Sequence, residues 1–189
     1  MLDLGFAVSA NSRQASVIFQ KLKNVIKEII SRYGRGQIRY GLIVFGSSAT
    51  TKVNFDDVFA TEDDLQKFVE AVPRVSGRPA LESALAQAKM LFERSNRPDS
   101  KKVLVVLTDS KSAGSLDNVR KRSKALHDRD VTIIGVGIGG DTDVKDLEAA
   151  STDKQDALLQ TLPIDSNGLA TKIMTLVMKG NFCYTNWVL

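Results

Sequence analysis

A chain of 189 residues, 43% hydrophobic and 25% charged with only four prolines, suits one globular domain with its own core and is too short for two comfortable ones. The net charge of +4 and the pI of about 9.2 are mild. The densest basic run, Arg120-Lys121-Arg122 with Lys124 and Arg129, falls on an amphipathic helix pattern, so it reads as a solvated face and no specific nucleic-acid partner is expected; no apolar run nears the roughly 20 residues of a membrane span, so no membrane insertion is expected either.

Leu4-Gly5-Phe6-Ala7-Val8 is a short apolar run of the kind that forms a strand buried on both faces. Asp3 directly before it, and its shortness, argue against a secretory leader, so Met1 reads as the start of an excised fragment. A polar loop over 9–13 follows. Over 16–33, Val17, Phe19, Leu22, Val25, Ile26, Ile29 and Ile30 recur at spacings of three and four, which predicts a helix ended by Gly34 and Gly36. A second strand is expected over 39–45 (RYGLIVF), a tight connection over 46–50 and a short edge strand over 51–55.

Thr61 is an N-cap for a helix over 62–72, with Asp64 at the capping-box position, where Glu is the better match. Residues 73–79 are irregular, and 80–94 form a helix with Leu81, Ala84, Leu85, Ala88 and Leu91 along its inner stripe. After Lys101 and Lys102, Val103-Leu104-Val105-Val106-Leu107 is the clearest buried strand. A helix over 116–127, a strand over 131–136, a short helix over 144–150, a last strand over 158–162 and a last helix over 168–178 complete the pattern, and 180–189 reads as a linker or tail after a domain spanning 1–179. Strands alternating with helices predict an α/β fold: a doubly wound, mostly parallel central sheet with helices on both faces. Ligands of such sheets bind beyond the carboxyl ends of the strands, which directs attention to the loops after Val8, Leu107 and Val136.

Several features carry little chemistry. His127, the only histidine, lies on a charged helix and is expected to be exposed; no Ser-His-Asp set can be built around it. Gly137-Ile138-Gly139-Gly140 lacks the order of a phosphate loop and reads as a turn. Asp56-Asp57 and Glu62-Asp63-Asp64 form a solvated acidic edge. The single Cys183 has no basic partner in sequence, so a catalytic thiol is not expected. An odd cysteine instead points to an inter-domain or intermolecular disulfide, or to a free thiol. There is no Asn-x-Ser/Thr sequon.

Four segments, in order, resemble the von Willebrand factor A family, the group that includes integrin I-like domains. Phe6-Ala7-Val8-Ser9-Ala10-Asn11-Ser12 stands where that family has an apolar strand entering an Asp-x-Ser-x-Ser loop. Tyr40-Gly41-Leu42-Ile43-Val44-Phe45-Gly46 is similar to its second strand, Val103 to Asp109 to its fourth with a terminal Thr-Asp, and Gly135-Val136-Gly137-Ile138-Gly139 to its fifth. The resemblance covers residues 3 to about 179. It implies the fold above and a metal-ion-dependent adhesion site at the top of the sheet, where oxygen donors hold a divalent cation such as Mg²⁺.

Carried over position by position, the first-loop Asp falls on Ser9, the two Ser positions on Asn11 and Arg13, the Thr on Pro79 between Arg78 and Ala80, and the last Asp on Asp109, which matches. One carboxylate of two is kept, and Arg13 brings a positive charge towards the ion's place, so no cofactor is expected; any ion would rest on Asp109 with Ser9 and Asn11. The sharper reading pairs Arg13 or Arg78 with Asp109 in the ion's place, beside the plainer one of a solvent-facing Arg13 and an Asp109 that caps the next turn. The vestigial surface is Ser9, Asn11, Ser12, Arg13, Arg78, Asp109 and Ser110. The resemblance implies a non-catalytic interaction module of a larger extracellular matrix or cell-adhesion protein, secreted, binding another protein such as a matrix or acidic-surface ligand. The alternative is an intracellular, cytoplasmic scaffold domain of a multiprotein complex. A nucleotide-binding enzyme lacks any phosphate loop, triad or acid/base pair to support it.

Overall fold

The computed structural model describes residues 1–10, 16–95 and 97–179. The first apolar run becomes strand β1, Leu2–Ser9, buried along its whole length, and the periodic segment after it becomes helix α1, Ser16–Tyr33. Strand β2, Ile38–Phe45, turns through Gly46 into the short antiparallel β3, Ala49–Val53, two residues earlier than the sequence pattern indicates. Helices α2, Glu62–Ala71, and α3, Leu81–Glu93, precede β4, Lys101–Thr108. Then come α4, Leu116–His127; β5, Val131–Ile138; α5, Val144–Ala150; β6, Ala157–Gln160; and α6, Ser166–Met178. The strands form one sheet in the order β3-β2-β1-β4-β5-β6, parallel except for β3.

Side chains alternate across β1, and the two faces bury separate clusters. Leu2, Leu4, Phe6 and Val8 pack under α1, α2 and α6. Ala7, with Ile43, Phe45, Leu104 and Val106 from the neighbouring strands, packs under α3 and α4. A fully buried residue such as Phe6 contributes about 1.5–3 kcal/mol by leaving water. The caps place the helices: Thr61 and Asp64 make both halves of a capping box on α2, the shorter Asp serving where Glu is usual. Ser115, Asp143 and Asp165 cap α4, α5 and α6.

The basic run on α4 and just after it is solvent-facing, with Arg120 paired to Asp117, Lys124 to Asp128 and Arg129 to Glu93. His127 departs from expectation. It is half-buried, because Thr152 after α5 folds against the end of α4, and its Nε2 meets the hydroxyls of Ser123 at 3.3 Å and Thr152 at 3.1 Å. Gly139 turns the chain after β5 at φ +82°, as a turn and not a phosphate cradle. Cys183 lies outside the described residues.

Candidate functional site

Three segments converge at the carboxyl end of the sheet. The turn after β2 and the residues before α3 are tied by the Ala80 N–H, which donates to the Gly46 carbonyl at 2.8 Å. The loop after β4 is tied to the same place by the Ala113 N–H on the Pro79 carbonyl at 2.7 Å. Helix α3 begins at Ala80, which has no side chain to cap it, yet the Ser112 hydroxyl oxygen accepts from the Leu81 N–H at 3.1 Å and from the Gly114 N–H at 3.3 Å. A residue from the β4–α4 loop thus caps a helix thirty-one positions away. No local pattern announces it, since capping is sought in the residues just before the helix. The same loop is fixed from the far side by the Ser112 N–H on Asp146 at 2.8 Å and by Lys111 paired with Asp143 at 3.0 Å. Burial pushes the Asp146 carboxyl above its usual range, against the Ser112 hydrogen bond, while Lys111 holds Asp143 below its own.

Among these loops Asp109 and Ser9 are both buried, at 6% and 1% exposed. Ser9 Oγ donates to Asp109 Oδ1 over 3.4 Å, and Ser110 Oγ donates to the same oxygen over 3.0 Å. The structure therefore brings together three of the residues expected here: Ser9, Asp109 and Ser110. Asn11, Ser12 and Arg13 lie outside the described residues. Arg78 does not join them: it is exposed, and among the described residues it forms no ion pair with Asp109. Of the readings open for Asp109, the pairing with Arg78 is thus not the one seen. Asp109 meets hydroxyl groups instead, because β1 ends on Ser9 directly beside β4.

As a cation cage the described donors fall short. Oxygen coordination of a hard ion needs about six ligands. Here one carboxylate faces hydroxyls that already donate to it, Pro79 offers no side-chain oxygen, and no group of three or more His, Cys, Asp or Glu converges among the described residues. Glu82 Oε2 is buried without a hydrogen-bond partner, but its carboxylate lies against Gly114 and lines a cleft with Ser83, Asn118 and Arg122 between α3 and α4.

The opposite end of the sheet holds a charge network that the sequence reading does not contain. Asp3, fully buried, pairs two-pronged with Arg39, at 2.9 Å from Nε and 2.8 Å from Nη2, and accepts from the Ser95 and Ser100 hydroxyls. Arg39 also meets Asp56 at 2.6 Å. Burial alone would raise the Asp3 carboxyl; the donors and the guanidinium charge outweigh it and hold the group below its usual range. The available signal was a charged second residue in each of two adjacent strands, Leu2-Asp3 and Ile38-Arg39, which parallel pairing sets side by side.

A doubly wound sheet with one antiparallel edge strand, and with its first, second and fourth strands feeding one loop cluster around a buried Asp, defines a von Willebrand factor A-type module. The family model for the von Willebrand factor type A domain matches residues 3–164, and the chain belongs to that family. Among curated relatives, the collagen alpha-4(VI) chain of Mus musculus is 26% identical over 186 residues, covering 96% of this chain and 8% of the relative. The collagen alpha-5(VI) chain of Homo sapiens is 22% identical over 158 residues, covering 81% and 6%. The chain is thus similar to a small part of much longer proteins. Among solved structures, proximal thread matrix protein 1 from the mussel byssus superposes with a TM-score of 0.82 at 21% identity, over 93% of this chain and 45% of that one. The same protein with a zinc-occupied MIDAS motif gives 0.81 at 21% identity, again over 93% and 45%.

Proposed function

We propose that the chain is a non-catalytic protein-binding module of a larger extracellular matrix or cell-adhesion protein, and that it engages its partner at the carboxyl end of the sheet without a metal ion. The observation that carries the metal-free reading is the carboxylate of Asp109. Its Oδ1 accepts from the Ser9 and Ser110 hydroxyls, where a metal-dependent site would offer it to an ion. The kinship with collagen VI chains and a byssal matrix protein supports the extracellular setting. Recognition then falls to direct contacts from loops held rigid by the Ser112 and Asp146 bonds, with exposed Arg78 as the charged contact towards an acidic partner.

Two measurements test this. Ligand bound only by the folded state raises the melting temperature in proportion to the logarithm of its concentration. Millimolar Mg²⁺ or Mn²⁺ is expected to leave the melting temperature unchanged; a rise that grows with metal concentration sinks the metal-free reading. The purified chain is also expected to bind immobilised extracellular matrix equally with and without EDTA, and Arg78→Glu to weaken that binding about tenfold, the scale of one lost charged contact. Absence of matrix binding sinks the adhesion reading itself.

A further inference from the structure

The amino-terminal end of the sheet, remote from Asp109, carries a cleft of about 490 Å³ whose lining includes Arg35, Tyr40, Phe55, Val58, Phe59 and Arg97. Its charges are unequally satisfied. Arg39 and Asp56, also at its wall, answer each other, and Arg39 is further held by Asp3. Asp57 accepts from the Asn54 N–H. Arg35 and Arg97 form no ion pair among the described residues. The Arg35 guanidinium donates to the carbonyls of Phe59 and Ala60, which hold it in place without neutralising it, and its Nε is buried with no hydrogen-bond partner. The Arg35 charge therefore faces the cleft wall without a carboxylate to answer it, and a hydrogen bond assisted by such a charge is stronger than a neutral one.

Arg97 lines the same cleft, and its main chain is held there: its carbonyl accepts from Ser100, whose hydroxyl also reaches Asp3, and its N–H meets Ser95 Oγ at 3.5 Å. The apolar wall is equally defined: Phe59 sits edge-on to Phe68 at 5.7 Å between centroids, Phe55 is buried against Phe92, and Val58 stands at the rim 94% exposed.

We infer that this cleft is a second binding site, which takes an acidic side chain flanked by apolar residues from an extended segment of a partner protein. The carboxylate lies towards Arg35 and Arg97, and the apolar neighbours rest on Val58 and Phe59. The wall chemistry favours such a segment over a sulfated polysaccharide. A polyanion is held by rows of open cations, whereas here two cations lie within an apolar cleft beside Asp56 and Asp57, which repel a dense negative chain.

The test is a titration of the ¹⁵N-labelled chain, followed by amide shifts, with a ten-residue Gly/Ser peptide carrying one Leu-Glu-Leu. Saturable shifts at Val58, Phe59 and Arg97 are expected with a dissociation constant on the order of 100 µM, a value suited to a short flexible ligand. The Leu-Gln-Leu peptide and the Arg97→Glu protein are each expected to bind about tenfold more weakly, with the melting temperature of the variant unchanged. Should Arg97→Glu not melt cooperatively, Val58→Asp, at a fully solvated rim position, is expected to give the same loss. The inference is overturned by any of three results: no shifts up to about 5 mM peptide, shifts confined to the Asp109 end, or equal affinity for the Gln peptide. A heparin oligosaccharide that shifts the same amides more tightly than the peptide also overturns it. Because the readout is local, its failure leaves the matrix-binding result at the other end standing.

Discussion

At the scale of single residues, Asp3 is the most consequential side chain that a motif search passes over. Its carboxylate is fully buried, and the partner Arg39 is 11% exposed, so neither can turn to water if the other is lost. Asp3→Asn is expected to cost about 3 kcal/mol in urea denaturation, the range seen when one member of a buried pair is removed. The pH dependence has a definite sign. The folded-state carboxyl lies below the ordinary 3.8, so its contribution is fully present above that value and is lost as pH falls below it through the folded-state pKa. Wild type should therefore lose more stability than Asp3→Asn across that acid window. His127 behaves in a related way near neutrality: burial, aided by Lys124 and opposed by Asp128 and Asp153, draws its imidazole below the ordinary 6.5. Stability it supports is present above that pH and declines as pH drops below it, because the unfolded chain takes up the proton first. His127→Gln should flatten the stability profile between about pH 7 and pH 5; an unaltered slope would show that the imidazole is not in this environment.

Among the elements, periodicity and caps were the legible part. Helices α1, α4 and α5 cover the ranges that the sequence pattern gives them, because helix signals are local. Thr61→Ala should remove about 1 kcal/mol through loss of the α2 cap. Strand ends were less legible: β3 starts at Ala49, drawn into the turn after Gly46 by pairing with Phe45, and pairing is set by a neighbour distant in sequence. The close seat of α5 on β5 was likewise invisible. A Cβ on Gly135 would come within 2.7 Å of Ser151 Oγ and 3.3 Å of the Leu147 carbonyl. Gly135→Val is expected to destabilise by roughly 1–3 kcal/mol, as overpacking does, measured by thermal or urea melting. In the candidate site, Ser9 and Asp109 were legible as ends of adjacent strands. Ser112 was not, since it caps a helix from a loop far away in the chain, and the Asp3–Arg39 pair was marked only by a charged second residue in each of two strands whose neighbouring is set in space.

For the molecule as a whole, the central strand joins two chemically different ends: hydroxyls around Asp109 at one, arginines around Asp3 and the Arg35 cleft at the other. The proposed domain limit at residue 179 has a testable form. Helix α6 finishes with Val177 buried, and Lys101 Nζ donates to the carbonyls of Val177 and Lys179, which closes the helix end from within the domain. A chain ending at Lys179 is expected to melt within about 2 °C of the longer one, a shift below 1 kcal/mol for a domain of this size. The position of β1 has a mechanical consequence. It lies between two parallel partners, β2 and β4, bonded along both edges, with the Asp3–Arg39 clamp beside its first residue. Tension drawn along the chain at Leu2 would act lengthwise on both ladders at once and on the ionic clamp first. The strand could leave only by sliding as a unit, never by peeling rung after rung, so a pull in this direction would meet the part of the molecule least able to yield gradually.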